Sequence, residues 1–138
     1  PLGAFIADKK QMDAFTENPI LGHITTFGGH PVCCAAGMAA MKVLIQEKIS
    51  GSVKEKEELF KSLLVHPKIK AVRSFGLWIA IEFDSFETNK KVIDTCIKSG
   101  IMTDWYLFAP NCMRISPPLM ISKKEISKAC EIILSSVS

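Results

Sequence analysis

The sequence has few of the features that mark specialised protein classes. It contains only two arginines, Arg73 and Arg114, and its net charge of +3 is small and spread along the chain. Neither property favours a nucleic-acid-binding surface. The longest apolar run, residues 32–45, is interrupted by Gly37 and Lys42 and is shorter than the roughly 20 residues that cross a bilayer. We therefore expect neither nucleic acid nor a membrane as a partner.

The sequence also has no cysteine or histidine residues at the spacings typical of metal-binding motifs. The five cysteines form no C-x-x-C pair, and the three histidines do not complete a zinc motif. An odd number of cysteines in a chain of this length and composition indicates buried thiols in a reducing compartment. The sequence thus predicts no metal site and a cytoplasmic protein.

The residues that are present are typical of a globular protein. Apolar residues make up 48% of the chain and charged residues 22%, which is sufficient for a packed core. Fifteen of the basic residues are lysines. The two arginines are therefore the more informative cations, because a planar guanidinium can bind a carboxylate or a phosphate through two parallel hydrogen bonds.

Hydrophobic periodicity divides the chain into two predicted parts. In residues 1–48, the short apolar segment 3–7 predicts a buried strand, and Pro31 predicts the first position of a long apolar helix. In residues 49–138, the order of patterns is helix, strand, strand, helix, strand, strand, helix. This order predicts an α+β domain in which helices cover a small mixed sheet.

Capping residues mark two of the helices in the second part. Ser85 precedes a helical pattern that ends at Gly100, and Ser122 is followed three residues later by Glu125. A serine with an acidic residue at that spacing is the signature of a capping box.

The first candidate site is the segment HITTFGGHP, residues 23–31. Two threonine hydroxyls and two glycines precede a predicted helix start, where unpaired backbone N–H groups favour anions. One interpretation is a phosphate site that includes Thr25 and Thr26. The other is a tight turn that leads into the helix, with both threonines in a strand. The spacing alone favours this second interpretation.

The second candidate site surrounds Arg114 in the segment NCMRISPPL, residues 111–119. Arg114 is predicted to lie in a strand between apolar neighbours, and Pro117 and Pro118 end that strand. Such an arginine either binds an anion or reaches solvent. The two interpretations are a carboxylate-binding residue and a surface arginine on an edge strand. Arg73, in the segment VRSFGLWIAIEF, is predicted to belong to a packed hairpin.

Four segments in this order resemble the C-terminal part of class III pyridoxal-phosphate-dependent aminotransferases, and the acetylornithine and ornithine aminotransferase branch in particular. They are PLGAFIA, HITTFGGHPVCCAAGMAAMKVL, VRSFGLWIAIEF and MRISPPLMIS. The resemblance implies the C-terminal part of a fold-type I transferase. Residues 1–48 would be the end of the large α/β cofactor-binding domain with a linking helix, and residues 49–138 the small α+β domain.

The same resemblance implies a function. Thr25 and Thr26 would contact the phosphate of pyridoxal 5'-phosphate bound to the neighbouring subunit of a homodimer, and Arg114 would bind the α-carboxylate of the substrate. The reaction would move an amino group from an ornithine-like or acetylornithine-like donor to a keto acid such as 2-oxoglutarate. His30 stands where the family usually has asparagine.

A departure from the family pattern concerns the catalytic centre. The Schiff-base lysine of the family lies just upstream of the segment that corresponds to residues 1–4, so no catalytic residue is predicted within this chain. The chain alone is then expected to be an inactive fragment. The alternative is a non-catalytic, stand-alone α+β binding or interaction module.

Overall fold

A computed structural model describes residues 2–18 and 24–137. The chain forms two compact units, Pro1–Lys48 and Ile49–Ser138. The assignment of the first unit to a larger cofactor-binding domain stays a prediction.

The first unit contains two helices, α1 (Lys9–Asp13) and α2 (Pro31–Gln46). Pro31 occupies the first turn of α2, as predicted, where its missing N–H removes no intrahelical hydrogen bond. In this helix only Lys42 carries a full charge, and neither helix has a buried residue. Apolar composition has therefore produced a helix here without producing a core.

The prediction of a buried strand at residues 3–7 is wrong. The segment has no strand structure, and the side chains of Phe5 and Ile6 are 71% and 89% exposed. A strand needs a neighbour to pair its backbone N–H and C=O groups. Within residues 2–18 and 24–48 no strand is present to pair with it.

The second unit has the predicted order of elements, preceded by a short 3-10 helix. These elements are Ile49–Ser52 (3-10 helix), α3 (Val53–Leu63), β1 (Ala71–Phe75), β2 (Trp78–Glu82), α4 (Phe86–Lys98), β3 (Asp104–Tyr106), β4 (Ala109–Ile115) and α5 (Lys123–Val137).

The four strands form one sheet in the order β1-β2-β4-β3, and every neighbouring pair is antiparallel. The predicted mixed sheet is therefore wrong. Tight hairpins join β1 to β2 and β3 to β4, which forces antiparallel pairing within each hairpin. The connection through α4 brings β3 back parallel to β2, so β4, after its hairpin with β3, pairs antiparallel with β2. As a result β4 is an interior strand, with a partner on each side.

The core lies between one face of this sheet and the helices. Ile79 and Ile81 of β2 and Met113 of β4 are fully buried, and they pack in one cluster with residues such as Phe60 of α3 and Ile126 of α5. The alternating residues of β2 point away from the core, in keeping with the period of two in a strand. The outer face of the sheet therefore carries the polar and aromatic side chains.

Both predicted helix caps are present. The Ser85 hydroxyl accepts a hydrogen bond from the Thr88 N–H at 3.2 Å. Glu125 Oε2 accepts from the Ser122 N–H at 2.8 Å, while the Ser122 hydroxyl accepts from the Glu125 N–H at 3.2 Å, which completes the capping box. The hydrogen bonds from the Ser122 hydroxyl and N–H lower the pKa of the Glu125 carboxyl.

The thiols differ between the two units. Cys96, Cys112 and Cys130 in the second unit are buried, as predicted, whereas Cys33 is partly exposed and Cys34 exposed on α2. Burial raises the pKa of the Cys130 thiol to about 12. The prediction of buried thiols fails for α2 because this helix buries none of its residues.

Within the described ranges, none of the helices combines the length and the apolar character that crossing a bilayer requires.

Candidate functional site

The outer face of the sheet holds both arginines of the chain. Strand register places Arg73, Ala80, Arg114 and Asp104 in one row across β1, β2, β4 and β3. Side chains of directly opposed residues point to the same face. The row therefore places two guanidinium groups on one surface, with the small side chain of Ala80 between their strands.

Asp104 binds one edge of the Arg114 guanidinium. Nε of Arg114 donates to Oδ1 of Asp104 at 2.7 Å, and Nη2 donates to Oδ2. Both side chains are about half exposed, at 43% and 47%. Within the described part of the chain, Nη1 has no hydrogen-bond partner. A guanidinium presents a second edge between Nη1 and Nη2, so Arg114 can still bind another carboxylate through that edge.

The position of Arg114 corrects one part of the second sequence interpretation. Its strand is not an edge strand, because β4 pairs with β2 on one side and β3 on the other. Arg114 reaches solvent on the open face of the sheet while its neighbour Met113 points into the core. The hydroxyl of Thr103 donates to the Arg114 carbonyl at 2.6 Å and ties the start of β3 to this residue.

Arg73 extends across the sheet toward β4. Its Nη1 lies 2.6 Å from Oε2 of Glu82, and its Nη2 lies 3.7 Å from Sγ of Cys112 on β4. The hydrogen bond that Arg73 donates to the Glu82 carboxylate raises the pKa of Arg73, which keeps the guanidinium charged. Its charged end therefore lies over the strand that carries Arg114.

Aromatic residues border this surface. The rings of Trp78 and Tyr106 stack with centroids 6.5 Å apart, and the Tyr106 hydroxyl donates to the Ile79 carbonyl at 3.2 Å. Burial is the main cause of the raised pKa of Tyr106, so its hydroxyl stays protonated at neutral pH. Tyr106 is therefore an uncharged side chain held in a fixed position beside the two arginines.

Two cavities meet at Arg114. One, of about 420 Å³, is lined by Arg73, Ala80, Tyr106, Leu107, Phe108 and Arg114, together with Ala109 and Cys112. The other, of about 450 Å³, includes Asp104, Arg114, Ser116, Pro117 and Pro118 in its lining. Arg114 is thus accessible to a small molecule from either side.

Thr25 and Thr26 lie together in the first unit, at a turn before α2. The Thr25 carbonyl accepts from the Gly28 N–H at 3.1 Å, and Gly29 has a φ of +71°. A Cβ on Gly28 would lie 2.5 Å from Oγ1 of Thr25, so the position of this hydroxyl depends on the glycine. Both threonines are exposed, and neither lies in a strand, contrary to the second interpretation of the segment.

This turn suits a phosphate group. Two neutral hydroxyl donors and a glycine backbone can hydrogen-bond to phosphate oxygens, which act as acceptors. His30 immediately precedes α2 but makes no side-chain hydrogen bond to its first turn. His23 lies outside the described residues. In the described ranges, no group of three or more histidine, cysteine or acidic side chains is placed to hold a metal ion.

Sequence reasoning did not identify Asp104 or Glu82 as partners of the two arginines. For Arg73 a partial signal was available, because aligning the first hairpin about its turn places Arg73 opposite Ala80, with Glu82 on the same face two residues further along β2. For Asp104 there was none, because aligning the second hairpin about residues 107–108 would pair Asp104 with Asn111. The register shift between Trp105 and Tyr106 brings Asp104 opposite Arg114.

Comparison with known proteins identifies the family. The sequence profile of the family described as aminotransferase class-III matches residues 1–137. The chain belongs to the class-III aminotransferases. This family depends on pyridoxal 5'-phosphate, and the resemblance found in the sequence motifs is confirmed.

Individual relatives support the same conclusion. Ornithine aminotransferase 2 of Staphylococcus aureus (strain Mu50) is 35% identical over 136 residues, which are 96% of this chain and 33% of that protein. The ornithine aminotransferase of Toxoplasma gondii, whose structure has partial occupancy of pyridoxal phosphate at its active site, is 30% identical with a TM-score of 0.75. That match covers 91% of this chain and 30% of the solved chain.

The structural match extends to an aminotransferase of Bacillus anthracis, with a TM-score of 0.78 and 23% identity over 94% of this chain and 33% of that one. The predicted fold, part of a fold-type I transferase, is confirmed. The chain spans about a third of the length of the curated relatives it matches.

Proposed function

We propose that the chain is the C-terminal part of a pyridoxal-phosphate-dependent aminotransferase. The enzyme moves an amino group from an ornithine-like or acetylornithine-like donor to a keto acid such as 2-oxoglutarate. Family membership and the ornithine aminotransferases among the relatives support this assignment.

The observation that carries the proposal is the free edge of Arg114 on the open face of the sheet. Asp104 fixes the guanidinium through Nε and Nη2. The edge between Nη1 and Nη2 then binds the α-carboxylate of the amino donor and of the keto acid in turn. Fixing the carboxylate restricts the substrate to one orientation, which lowers the entropic part of the barrier.

The cofactor supplies the electron sink for the reaction when it is bound. Thr25 and Thr26 hydrogen-bond to its phosphate, and the cofactor is the one bound to the neighbouring subunit of a homodimer. Gly28 leaves room for the Thr25 hydroxyl in this arrangement. In this proposal the lysine that holds the cofactor is not among these 138 residues, and the chain by itself is inactive. The complete enzyme is proposed to be cytoplasmic, because its free cysteines fit a reducing compartment.

A test of Arg114 uses the complete enzyme. Arg114→Ala should raise KM for both the amino donor and the keto acid about 10- to 150-fold, because a hydrogen bond to a charged group contributes about 1.5–3 kcal/mol. The cofactor should bind as tightly as in the wild type. Steady-state kinetics and cofactor titration measure the two quantities, and unchanged KM values would exclude this role for Arg114.

Thr26→Ala is the matched variant for the proposed phosphate contact in the first unit. It should weaken cofactor binding and leave both KM values unchanged once the cofactor is saturating. If Thr26→Ala changes substrate KM instead, the threonine pair contacts substrate and not phosphate.

The second candidate, a stand-alone α+β module without catalysis, is favoured by one observation. The second unit has a closed core of its own. The first unit counts against it, because Phe5, Phe27 and Val32 expose 70% or more of their side chains, and a free-standing domain rarely presents so many apolar residues together.

A further inference from the structure

A further cavity of the second unit shares no described residue with the two cavities at Arg114. It has a volume of about 520 Å³, and its lining contains three lysines, Lys68, Lys70 and Lys91, and one acidic residue, Asp84. We propose that this lysine cavity binds the phosphoryl group of a small phosphate monoester. The site is independent of the proposed function, because that function assigns no role to any of its residues.

The fold brings the three ammonium groups together from two separate segments. Lys68 and Lys70 lie in the connection between α3 and β1, whereas Lys91 lies on α4. The Lys70 N–H donates to the Glu82 carbonyl at 2.8 Å, which places the start of β1 beside the end of β2 and the segment that leads into α4. The cluster of cations is therefore a product of the tertiary fold and not of a lysine-rich run in the sequence.

The lysines retain hydrogen-bond donors for a ligand. Nζ of Lys68 donates to the Val137 carbonyl at 3.0 Å, which fixes this ammonium group at the cavity and leaves two of its three N–H groups. Within the described residues, Lys70 and Lys91 belong to none of the ion pairs. An incoming anion can therefore bind ammonium groups that no described carboxylate contacts directly.

The charge of the lining complements a phosphate monoester. Three ammonium groups and the Asp84 carboxylate give the described lining a net charge of +2. A phosphate monoester carries a charge of about −1.5 to −2 at pH 7, and lysine ammonium groups bind phosphate oxygens as point charges. The hydrogen bond from Thr88 is the main cause of the lowered pKa of Asp84, so this carboxylate already has a partner other than a lysine.

Apolar side chains line the rest of the cavity and suit the organic part of an ester. They belong to Pro67, Val92 and Val137, of which the two valines are only 2% and 3% exposed. The volume lies within the range of about 300–1,000 Å³ that is typical of small-molecule sites. A monoester can therefore place its phosphoryl group at the lysines and its organic group against the apolar part of the lining.

The experiment titrates the full chain with phenyl phosphate, inorganic phosphate and phenol in a calorimeter. Phenyl phosphate should bind more tightly than inorganic phosphate, and phenol should not bind. The double variant Lys70→Gln with Lys91→Gln should weaken phenyl phosphate about tenfold or more, since it removes two charge-assisted contacts.

The matched control is the double variant Lys124→Gln with Lys128→Gln. It removes the same charge from the first half of α5, whereas the cavity is lined by Ser136 and Val137 at the end of this helix. Affinity for phenyl phosphate should change less than about twofold, because salt screens distant exposed charges. Circular dichroism checks that both double variants keep the fold.

Nuclear magnetic resonance separates this cavity from the turn at Thr25 and Thr26, which also suits a phosphate group. Phenyl phosphate should shift the backbone amide signals of Thr88 and Lys91. Shifts confined to Gly28 would place the ligand at the turn and overturn the inference.

Three calorimetric results would also overturn the inference. They are the absence of phenyl phosphate binding, an equal loss of affinity in the two double variants, and equal affinities for phenyl phosphate and inorganic phosphate. The second result would indicate attraction by overall charge, and the third would exclude an ester as the preferred ligand. None of them affects the proposed function, which is tested by the Arg114 and Thr26 variants.

Discussion

The two units of the chain have similar apolar content but bury it to very different extents. In the second unit, Phe60, Ile79 and Met113 are at most 1% exposed. In the first, Phe27 and Met38 expose 80% and 57% of their side chains, and no described residue is buried. The difference lies in how apolar residues are distributed around the helices. Helix α3 has one charged face and one apolar face, whereas α2 is apolar on nearly every side.

The comparison teaches that a helix can be well specified locally and still lack a core. Pro31 and the alanine-rich sequence of α2 favour helix formation without any tertiary contact. A helix without a polar face needs apolar surfaces around it. The second unit, in contrast, supplies both the sheet and the helices that cover it. We therefore expect the stability of the chain to reside almost entirely in residues 49–138.

The strongest test of this comparison separates the units. Residues 49–138 expressed alone should unfold cooperatively, with a melting temperature close to that of the whole chain, because their core is complete. Residues 1–48 alone should show no cooperative transition. Circular dichroism during heating measures both. A sharp transition in residues 1–48 would show that the first unit has a core of its own.

A single substitution in each unit sharpens the comparison. Phe60→Ala should lower the free energy of unfolding by about 3–5 kcal/mol, since it opens a cavity in a fully packed cluster. Met38→Ala on α2 should change it by less than about 0.5 kcal/mol, since the residue is exposed. Urea titration followed by circular dichroism gives both values. Equal costs for the two substitutions would contradict the contrast in burial.

The smallest expected effect concerns the capping box of α5 in the second unit. The folded pKa of Glu125 is lowered from 4.5, so the stability it contributes is complete above about pH 5 and is lost as pH falls through the folded pKa. Glu125→Gln keeps a side chain that can cap but does not titrate. Its melting temperature should therefore fall less than that of the wild type between pH 6 and pH 3.

Ser122→Ala is the control for this acid effect. It removes the hydroxyl whose hydrogen bond is the main cause of the lowered pKa, and it should also reduce the acid dependence of the melting temperature. An acid dependence identical in all three proteins would show that Glu125 contributes nothing to it.

Much of the second unit could be predicted because its signals are local. Ser85 and the pair Ser122–Glu125 mark helix starts through contacts within four residues. Alternation in β2 predicts which residues reach the core. These signals are local in sequence and do not depend on the rest of the protein.

The remaining features depend on contacts between distant residues. Residues 3–7 have the composition of a strand, but composition does not supply a partner to pair with. The antiparallel direction of neighbouring strands and the interior position of β4 both depend on which strands pair with each other. The pairing of Asp104 with Arg114 depends on a hairpin register that single-residue patterns leave open.

That register has a consequence for variation in the β3–β4 turn. Leu107 and Phe108 at its tip are 79% and 97% exposed, so exchanging these side chains disturbs no packing. A one-residue slip of the register is different, because it turns every residue of β3 to the opposite face and moves Asp104 away from Arg114. The turn can therefore accept many sequences provided that the register of β3 against β4 is kept.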